Sequence, residues 1–385
     1  MVHWPMWIAA RPEDIVIIGA GPAGLATSAS LHRAGLPHVV VERAPDVAAS
    51  WRRRYDRLRL HTLKKYSSLP FSTYSTWPPE TPRYPSRADV ISYLERYAEE
   101  NRIAPRFGVD VLRVTHVADR FTVDTSAGTL KPRFIVVATG YNGLANWPKF
   151  RGLDGFTGSV VHSEMYKNPR PYVGKRTLVV GCGNSGAEIA LDLAEHGVAV
   201  TMVVRGPVHV VPRDLMGRSS QETSIMLSRF PAAVRDALVA PILRLAVGDL
   251  SRWGIVRPAV GPNRSVEEGG RIPILDIGTI ALVKAGRIRV LPGVQEVLAD
   301  RVRFADGRIE PFEAIVLATG YRPALDHLIA GFESIADERG RPDRFGAESA
   351  IPGLFFVGFR NPATGALREI AREAPRVAAA IRAKP

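Results

Sequence analysis

The chain has 385 residues, more than usually fold around one hydrophobic core, and 46% of them are hydrophobic. We therefore expect a globular protein of about two domains. The formal net charge is +13, and the excess is mostly arginine spread along the chain, which favours anionic ligands over a nucleic-acid surface. The single cysteine, Cys182, excludes internal disulfides and any Cys-x-x-Cys redox pair. We predict no metal site.

Membrane and secretory signals are not apparent in the sequence. No apolar run approaches the roughly 20 residues that span a bilayer. Residues 1–7 contain neither the basic leader nor the long apolar core of a signal peptide. We therefore expect a cytoplasmic protein without a transmembrane segment.

A Gly-rich turn near the start of the chain organises the first unit. Residues 14–18 read Asp-Ile-Val-Ile-Ile, residues 19–24 read Gly-Ala-Gly-Pro-Ala-Gly, and residues 25–31 favour a helix. This order is typical of a strand, turn and helix that hold a dinucleotide, because glycine permits a sharp bend and a close approach to a pyrophosphate. Glu42 ends the next strand, eighteen residues after Gly24. We predict that it binds ribose hydroxyls; a solvated glutamate is the alternative interpretation.

The chain then leaves the regular pattern and returns to it. Residues 51–85 are rich in proline and aromatic side chains, which predicts an ordered and functional loop excursion. Its dense arginine cluster at 51–59 has a nucleic-acid patch as its alternative interpretation. Residues 87–98 predict an amphipathic helix, residues 109–131 a small antiparallel ribbon, and residues 134–140 a buried returning strand.

A second Gly-rich turn, Gly-Cys-Gly-Asn-Ser-Gly at 181–186, lies between a strand and a helix in the same way. A ribbon with an Asp306-Gly307 turn and a returning strand at 314–320 complete the second unit. Both returning strands end in Ala-Thr-Gly-Tyr, which indicates an internal duplication. Arg205 stands where the first unit has Glu42, and a cation there favours the 2′-phosphate of NADP. A merely exposed Arg205 is the alternative.

An insertion at 207–277 separates the elements of the second unit. Helices are predicted at 224–230 and 232–240, and Pro241 is expected to end the second of them or to begin a further helix at 242–247. These apolar helices either line a substrate entrance, touch a membrane surface or pack against their own domain.

Residues 156–167 read Phe-Thr-Gly-Ser-Val-Val-His-Ser-Glu-Met-Tyr-Lys, just before the second turn. This stretch resembles the fingerprint of flavin-containing monooxygenases, Phe-x-Gly-x-x-x-His-x-x-x-aromatic-basic. The related Baeyer–Villiger fingerprint ends in Trp-Pro, whereas this one ends in Tyr166-Lys167. We interpret His162 as a residue that holds the domain junction and the cofactor rather than as an acid or base; an ordinary structural histidine is the alternative.

Five further stretches are similar to the YUCCA branch of that family, the plant-type enzymes of auxin synthesis: 55–62, 84–87, 180–186, 208–213 and 273–279. The resemblance implies FAD in the first unit, NADPH in the second, and oxidative decarboxylation of indole-3-pyruvate to indole-3-acetate through a C4a-(hydro)peroxyflavin. Two departures concern the substrate: many flavin monooxygenases have Asn before the Thr that follows His61, and residues 359–365 do not match the plant pattern.

The resemblance also implies the site. His61 and Thr62 are the predicted catalytic residues near the flavin intermediate. The predicted cofactor contacts are Gly19, Gly21, Pro22, Ala23, Gly24, Glu42, Arg43, Trp51, Arg52, Thr139, Gly140, His162, Gly181, Gly183, Asn184, Ser185, Gly186, Arg205, Thr319, Gly320 and Gly358.

The predicted fold class is α/β with two Rossmann-like dinucleotide-binding domains, the NADPH domain being inserted into the FAD domain. The FAD domain comprises 1–152 and the return segment 286–385, and the NADPH domain comprises 153–285 with its helical insertion at 207–277. The expected partners are O2 and a small 2-oxo acid, with no nucleic acid; an oligomer is compatible with the sequence.

Other functions remain to be weighed. An N- or S-oxygenating or Baeyer–Villiger enzyme shares the same plan, and so does an NADPH-dependent flavin reductase of a quinone or protein partner, which has no need of the fingerprint at 156–167. A flavin-dependent disulfide reductase requires a cysteine pair that the chain lacks. Two intact Gly-rich turns argue against a non-catalytic flavoprotein or a nucleic-acid-binding module.

Overall fold

The computed structural model describes residues 12–72, 77–268, 272–338 and 340–384. Residues 1–7, in which the sequence predicts no leader, lie outside this part of the chain, as do 73–76 of the predicted excursion and 269–271 of the predicted insertion. The strands are β1 (Ile15–Ile18), β2 (Val39–Glu42), β3 (Arg106–Phe107), β4 (Val111–Val117), β5 (Arg120–Thr125), β6 (Gly128–Leu130), β7 (Phe134–Val137), β8 (Leu144–Ala145), β9 (Ser159–His162), β10 (Arg176–Val180), β11 (Ala199–Val203), β12 (Val210–Pro212), β13 (Asp214–Leu215), β14 (Arg218–Ser219), β15 (Ile274–Asp276), β16 (Ile288–Leu291), β17 (Val294–Val297), β18 (Arg301–Phe304), β19 (Ile309–Pro311), β20 (Ala314–Leu317), β21 (Tyr321–Arg322) and β22 (Leu354–Phe356). The α-helices are α1 (Pro22–Arg33), α2 (Ala49–Arg52), α3 (Arg87–Glu100), α4 (Asn184–Glu195), α5 (Ser220–Leu227), α6 (Ala232–Val247), α7 (Pro262–Glu267), α8 (Thr279–Lys284), α9 (Leu325–Leu328) and α10 (Ala366–Arg382).

The first sheet has the strand order β22-β7-β1-β2-β3, and every neighbouring pair is parallel. Apart from the half-buried Phe134 at the start of β7, strands β1 and β7 consist of buried valine and isoleucine, as expected for a sheet that is covered on both faces. Because β22 near the C-terminus pairs with β7, both ends of the chain build this unit, as the sequence predicts.

The second sheet has the order β9-β20-β10-β11-β16, again parallel throughout. It repeats the first sheet with β10 in the place of β1 and β20 in the place of β7, so the two units are both Rossmann-like. The two helices that follow β1 and β10 are α1 and α4, and each begins directly at its Gly-rich turn.

The predicted domain boundary after residue 285 is wrong. Strands β16 and β20 lie beyond it, yet they pair inside the second sheet, with Val316 opposite Val179. The physical reason is that β10, which is buried from Thr177 to Val180, needs a hydrogen-bonding partner along each of its edges, and β20 supplies one of them. The segment that returns to the first sheet is β22.

The predicted antiparallel ribbons are present as β4-β5-β6 in the first unit and β17-β18-β19 in the second. The predicted helix at 87–98 is α3, whose start is fixed by a capping box between Ser86 and Asp89. In the insertion, α5 begins four residues earlier than predicted, because Ser219 and Glu222 form a second capping box.

The prediction that Pro241 ends a helix or begins a new one is wrong, because α6 continues through it from Ala232 to Val247. Proline removes one backbone hydrogen bond, but the helix-forming residues on either side preserve the rest. The helix is also held from outside, since Asp236 accepts hydrogen bonds from the backbone N–H groups of Asn263 (2.8 Å) and Arg264 (3.1 Å) in α7.

The two units are joined by a double connection. After β7 the chain passes through β8 into the second unit, and after β20 it passes back through β21; β8 and β21 pair antiparallel. Beyond β21, Leu325 and Phe332 are buried in the core of the first unit. In the part of the chain that the structure describes, no helix is long and apolar enough to cross a membrane.

We predict that Gly353→Ala destabilises the protein more than Gly307→Ala. Both glycines have positive φ (+81° and +86°), so a β-carbon costs on the order of 1 kcal/mol at either position. At Gly353 that carbon would also lie 2.5 Å from the carbonyl oxygen of Arg133, beside β7, whereas at Gly307 nothing lies within 4 Å. Overpacking adds about 1–3 kcal/mol. Urea unfolding midpoints measure the difference, and equal shifts would contradict the close approach of the C-terminal segment to the first sheet.

Candidate active site

The first Gly-rich turn has a geometry that only glycine permits at two of its positions. Gly19 has a φ of +106°, and a β-carbon on Gly24 would lie 1.8 Å from the carbonyl oxygen of Gly19. A β-carbon on Gly21, in contrast, would meet nothing within 4 Å. The turn is therefore tightly packed on its inner side and open on its outer side, where a ligand can approach the backbone.

The second turn repeats this arrangement. Gly181 has a φ of +116°, and a β-carbon on Gly186 would lie 2.1 Å from the oxygen of Gly181. Gly183 faces open space. The side chain of Asn184 closes the turn against the insertion by accepting a hydrogen bond from the backbone N–H of Leu275 at 2.7 Å.

Both turns fit a pyrophosphate. Helices α1 and α4 begin after Gly21 and Gly183, and neither has a side-chain cap on its first turn. Their first backbone N–H groups therefore lack intrahelical partners and carry the positive end of the helix dipole, which together bind anions. Both sites lie at the carboxyl ends of parallel strands, where open α/β sheets bind ligands.

Glu42 and Arg205 occupy the predicted corresponding positions with opposite charges. The Glu42 carboxylate accepts hydrogen bonds from the backbone N–H groups of Ala20 (2.7 Å) and Ala44 (2.9 Å), which fixes it beside the first turn. Arg205 is exposed just after β11, and its neighbour Val204 donates a hydrogen bond to Leu291 of β16. The first site thus presents a carboxylate and the second a cation.

The other predicted cofactor contacts fall into two groups. Those that follow the ends of β7, β20 and β22, and so lie at the same sheet edges as the turns, are Thr139, Gly140, Thr319, Gly320 and Gly358. Arg43 is exposed after β2, while Trp51 and Arg52 belong to α2. The Arg52 guanidinium contacts Glu95 and lies 3.3 Å from Asp46, so its charge is directed to protein carboxylates.

His162 lies at the junction of the two units. It ends β9, is completely buried, and its ring packs edge-on against Tyr321 of the connecting ribbon with centroids 5.1 Å apart. The guanidinium of Arg54, from the first unit, lies over the ring of this tyrosine and donates to its hydroxyl at 2.7 Å. Burial lowers the pKa of His162, which keeps its ring neutral at physiological pH.

The two predicted catalytic residues point to different neighbours. His61 contacts the carboxylate of Glu188 in α4, in the second unit. The Thr62 hydroxyl lies 2.9 Å from the Ser67 hydroxyl, and its methyl group lies against Gly365, at the start of α10. Residues 61 and 62 therefore connect helix α4 of the second unit with the loop between β22 and α10.

Sequence reasoning missed two buried acids on α4. Glu188 and Asp192 are only 3% and 4% exposed, and they face the loop excursion one helical turn apart. Tyr55 donates to Glu188 at 2.8 Å, and Tyr166 of the fingerprint stretch donates to Asp192 at 2.7 Å. A usable signal was present, because the neighbouring positions of this helix are almost all apolar and a helix buried all round must pair its acids.

Gln221 was also missed. It is 4% exposed in α5, its oxygen accepts from the N–H of Leu63, and its amide nitrogen donates to the oxygen of Thr364, both at 2.7 Å. One side chain thus ties the insertion to the excursion and to the β22–α10 loop. Nothing in the sequence distinguishes this glutamine from an exposed one.

The disulfide-reductase alternative lacks support in the described residues. Burial raises the pKa of the Cys182 thiol to about 12, and this cysteine has no second cysteine to pair with. No group of three or more His, Cys, Asp or Glu side chains that could hold a metal ion occurs among them.

Comparison with known proteins agrees with this geometry. The family described as pyridine nucleotide-disulphide oxidoreductase matches residues 16–217. The chain is 42% identical over 312 residues to the indole-3-pyruvate monooxygenase YUCCA1 of Oryza sativa subsp. japonica, covering 80% of this chain and 76% of that one. It is 41% identical over 354 residues to the probable indole-3-pyruvate monooxygenase YUCCA9 of Arabidopsis thaliana, covering 89% and 83%.

The fold is also that of a solved flavin-containing monooxygenase from Stenotrophomonas maltophilia, with a TM-score of 0.73, 24% identity, and coverage of 95% of this chain and 97% of that one. Both Gly-rich turns, the fingerprint at 156–167 and the identity to the plant proteins lead to the same assignment. The chain belongs to the YUCCA branch of the flavin-containing monooxygenases.

Proposed function

We propose that this protein is an FAD- and NADPH-dependent monooxygenase that converts indole-3-pyruvate to indole-3-acetate. The observation that best supports this proposal is that the chain, a member of the YUCCA branch, has two Gly-rich turns that can each bind a pyrophosphate. One turn lies beside the carboxylate of Glu42 and the other beside the exposed Arg205. The named substrate of the plant relatives supports indole-3-pyruvate. We also propose that the enzyme is cytoplasmic. The single cysteine supports this location, because cytosolic proteins rarely contain disulfides.

FAD would be held by the first unit. The open face of Gly21 and the free N–H groups at the start of α1 would receive its pyrophosphate, and the fixed carboxylate of Glu42 would accept hydrogen bonds from its ribose. Gly358 lets the chain after β22 approach α1, since a β-carbon there would lie 2.7 Å from that of Ala23. When bound, FAD supplies the redox and oxygen chemistry that no side chain provides.

NADPH would be held by the second unit in the same way, with Gly183 and the start of α4 on its pyrophosphate and Arg205 on its 2′-phosphate. His162 would help to fix the position of one unit relative to the other by packing against Tyr321. The chain's own residues thus bind and orient, while buried contacts around the junction exclude water.

We predict that Arg205→Gln raises the KM for NADPH about 10- to 100-fold and leaves the KM for NADH nearly unchanged. A hydrogen bond to a charged group contributes about 1.5–3 kcal/mol. NADH has no 2′-phosphate with which Arg205 could form this bond, so its binding does not depend on Arg205. Steady-state kinetics with the two coenzymes measure the ratio. The matched control is Arg113→Gln, which removes an equal charge from the exposed ribbon of the first unit. Equal changes for NADPH and NADH would overturn the role of Arg205.

We predict that the FAD-loaded protein forms one indole-3-acetate and one CO2 for each NADPH consumed, with indole-3-pyruvate and 18O2 as co-substrates. One oxygen atom enters the new carboxylate and the other leaves as water, so mass spectrometry should detect one 18O per product molecule. Product labelling and NADPH absorbance are recorded together.

Other outcomes of this experiment separate the alternatives. If no labelled product forms from indole-3-pyruvate but one forms from an amine, sulfide or ketone offered in its place, the enzyme is a monooxygenase with a different substrate. If a quinone is reduced and no product carries 18O, the protein is a reductase and the proposal is wrong.

A further inference from the structure

The carboxylate of Glu188 has both of its oxygens engaged in the interior. Tyr55 donates its hydroxyl hydrogen to Oε2 at 2.8 Å, and His61 contacts Oε1 through Nε2. Burial, and then the neighbouring carboxylate, raise the pKa of Tyr55, so its hydroxyl keeps the proton that it donates. A buried carboxylate is stable only when it is paired and hydrogen-bonded in this way.

The imidazole of His61 is therefore fixed by one nitrogen and free at the other. Nε2 is committed to Glu188, while Nδ1 is buried and has no hydrogen-bond partner among the residues that the structure describes. Buried polar atoms without a partner are rare in folded proteins and call for an explanation. A ligand atom that the protein binds is such an explanation.

The position of His61 indicates which ligand this is. Glu188 lies one helical turn after the start of α4, close to the proposed NADPH turn. Thr62, the residue after His61, packs against Gly365, which lies in the loop that follows β22 and the proposed FAD contact Gly358. His61 thus lies between the two dinucleotide sites. If FAD and NADPH occupy these two sites, the substrate would be converted at the junction between them, beside His61.

We propose that Glu188 is a positioning residue that holds His61 so that Nδ1 donates a hydrogen bond to the carboxylate of the 2-oxo acid substrate. This inference rests on the proposed function and extends it to the side chain that recognises the substrate carboxylate. Carboxylates only accept hydrogen bonds, so a ring held between the Glu188 carboxylate and the substrate carboxylate is placed to donate a hydrogen bond to each of them. Without Glu188 the ring has neither a fixed orientation nor a compensating charge.

The test compares two ligands of nearly the same shape, one with a carboxylate and one with a neutral amide in its place. Indole-3-propionate, whose carboxylate is as far from the indole ring as that of indole-3-pyruvate, and the neutral indole-3-propionamide are titrated by calorimetry into the FAD-loaded protein in the presence of NADP+. Glu188→Gln preserves the shape of the side chain and an acceptor for Tyr55 but removes the charge. We predict that this variant binds the acid about tenfold more weakly and the amide within about twofold of the wild type.

Asp192→Asn is the matched control. Asp192 is an equally buried acid on the same face of α4, but it pairs with Tyr166 and lies 3.7 Å from Arg57 instead of contacting His61. A role that is only structural would make the two variants alike. We predict that Asp192→Asn does not discriminate between acid and amide, and that His61→Gln discriminates as Glu188→Gln does. Should Glu188→Gln fail to fold, His61→Gln decides alone.

A further variant asks whether Glu188 acts through His61. In the His61→Gln background, adding Glu188→Gln should cause no further loss of affinity for the acid. The inference is wrong if Glu188→Gln weakens both ligands equally, weakens neither, or if the wild type binds the acid no better than the amide. The proposed function is judged separately, by labelled product from the wild-type enzyme.

Discussion

The close approach of backbone atoms inside each Gly-rich turn is the constraint on which the rest depends. Because a β-carbon on Gly24 or Gly186 would lie about 2 Å from a carbonyl oxygen, each helix can start directly against the strand that precedes it. That start leaves the first N–H groups of α1 and α4 open at the carboxyl edge of a parallel sheet. The binding chemistry of both units thus follows from one steric requirement, met twice.

The relation between the units depends on buried charge. A carboxylate removed from water costs several kcal/mol unless it is paired, so Glu188 and Asp192 require the partners that the excursion and the fingerprint stretch bring to them. The double connection of β8 and β21 brings the units together, with His162 packed beside it. The junction between the two units is thereby lined by residues from separate parts of the chain.

Predictions from the sequence succeeded where one local signal was enough. The turns, the ribbons and the amphipathic helix α3 are all found in the structure. The boundary after residue 285 failed because strand pairing, which is non-local, assigns β16 and β20 to the second sheet. The break at Pro241 failed because neighbouring residues and the contacts of Asp236 outweigh one lost hydrogen bond.

The sequence by itself determined the two nucleotide-binding turns, the opposite charges of Glu42 and Arg205 and the membership of a flavin monooxygenase branch, because these features depend on residue type and short spacing. Only the tertiary structure decided which residues meet across the chain: His61 with Glu188, and Gln221 with Leu63 and Thr364. A histidine or glutamine carries the same local signal whether buried or exposed. Its partner is chosen by packing between segments more than a hundred residues apart, and no local pattern encodes that choice.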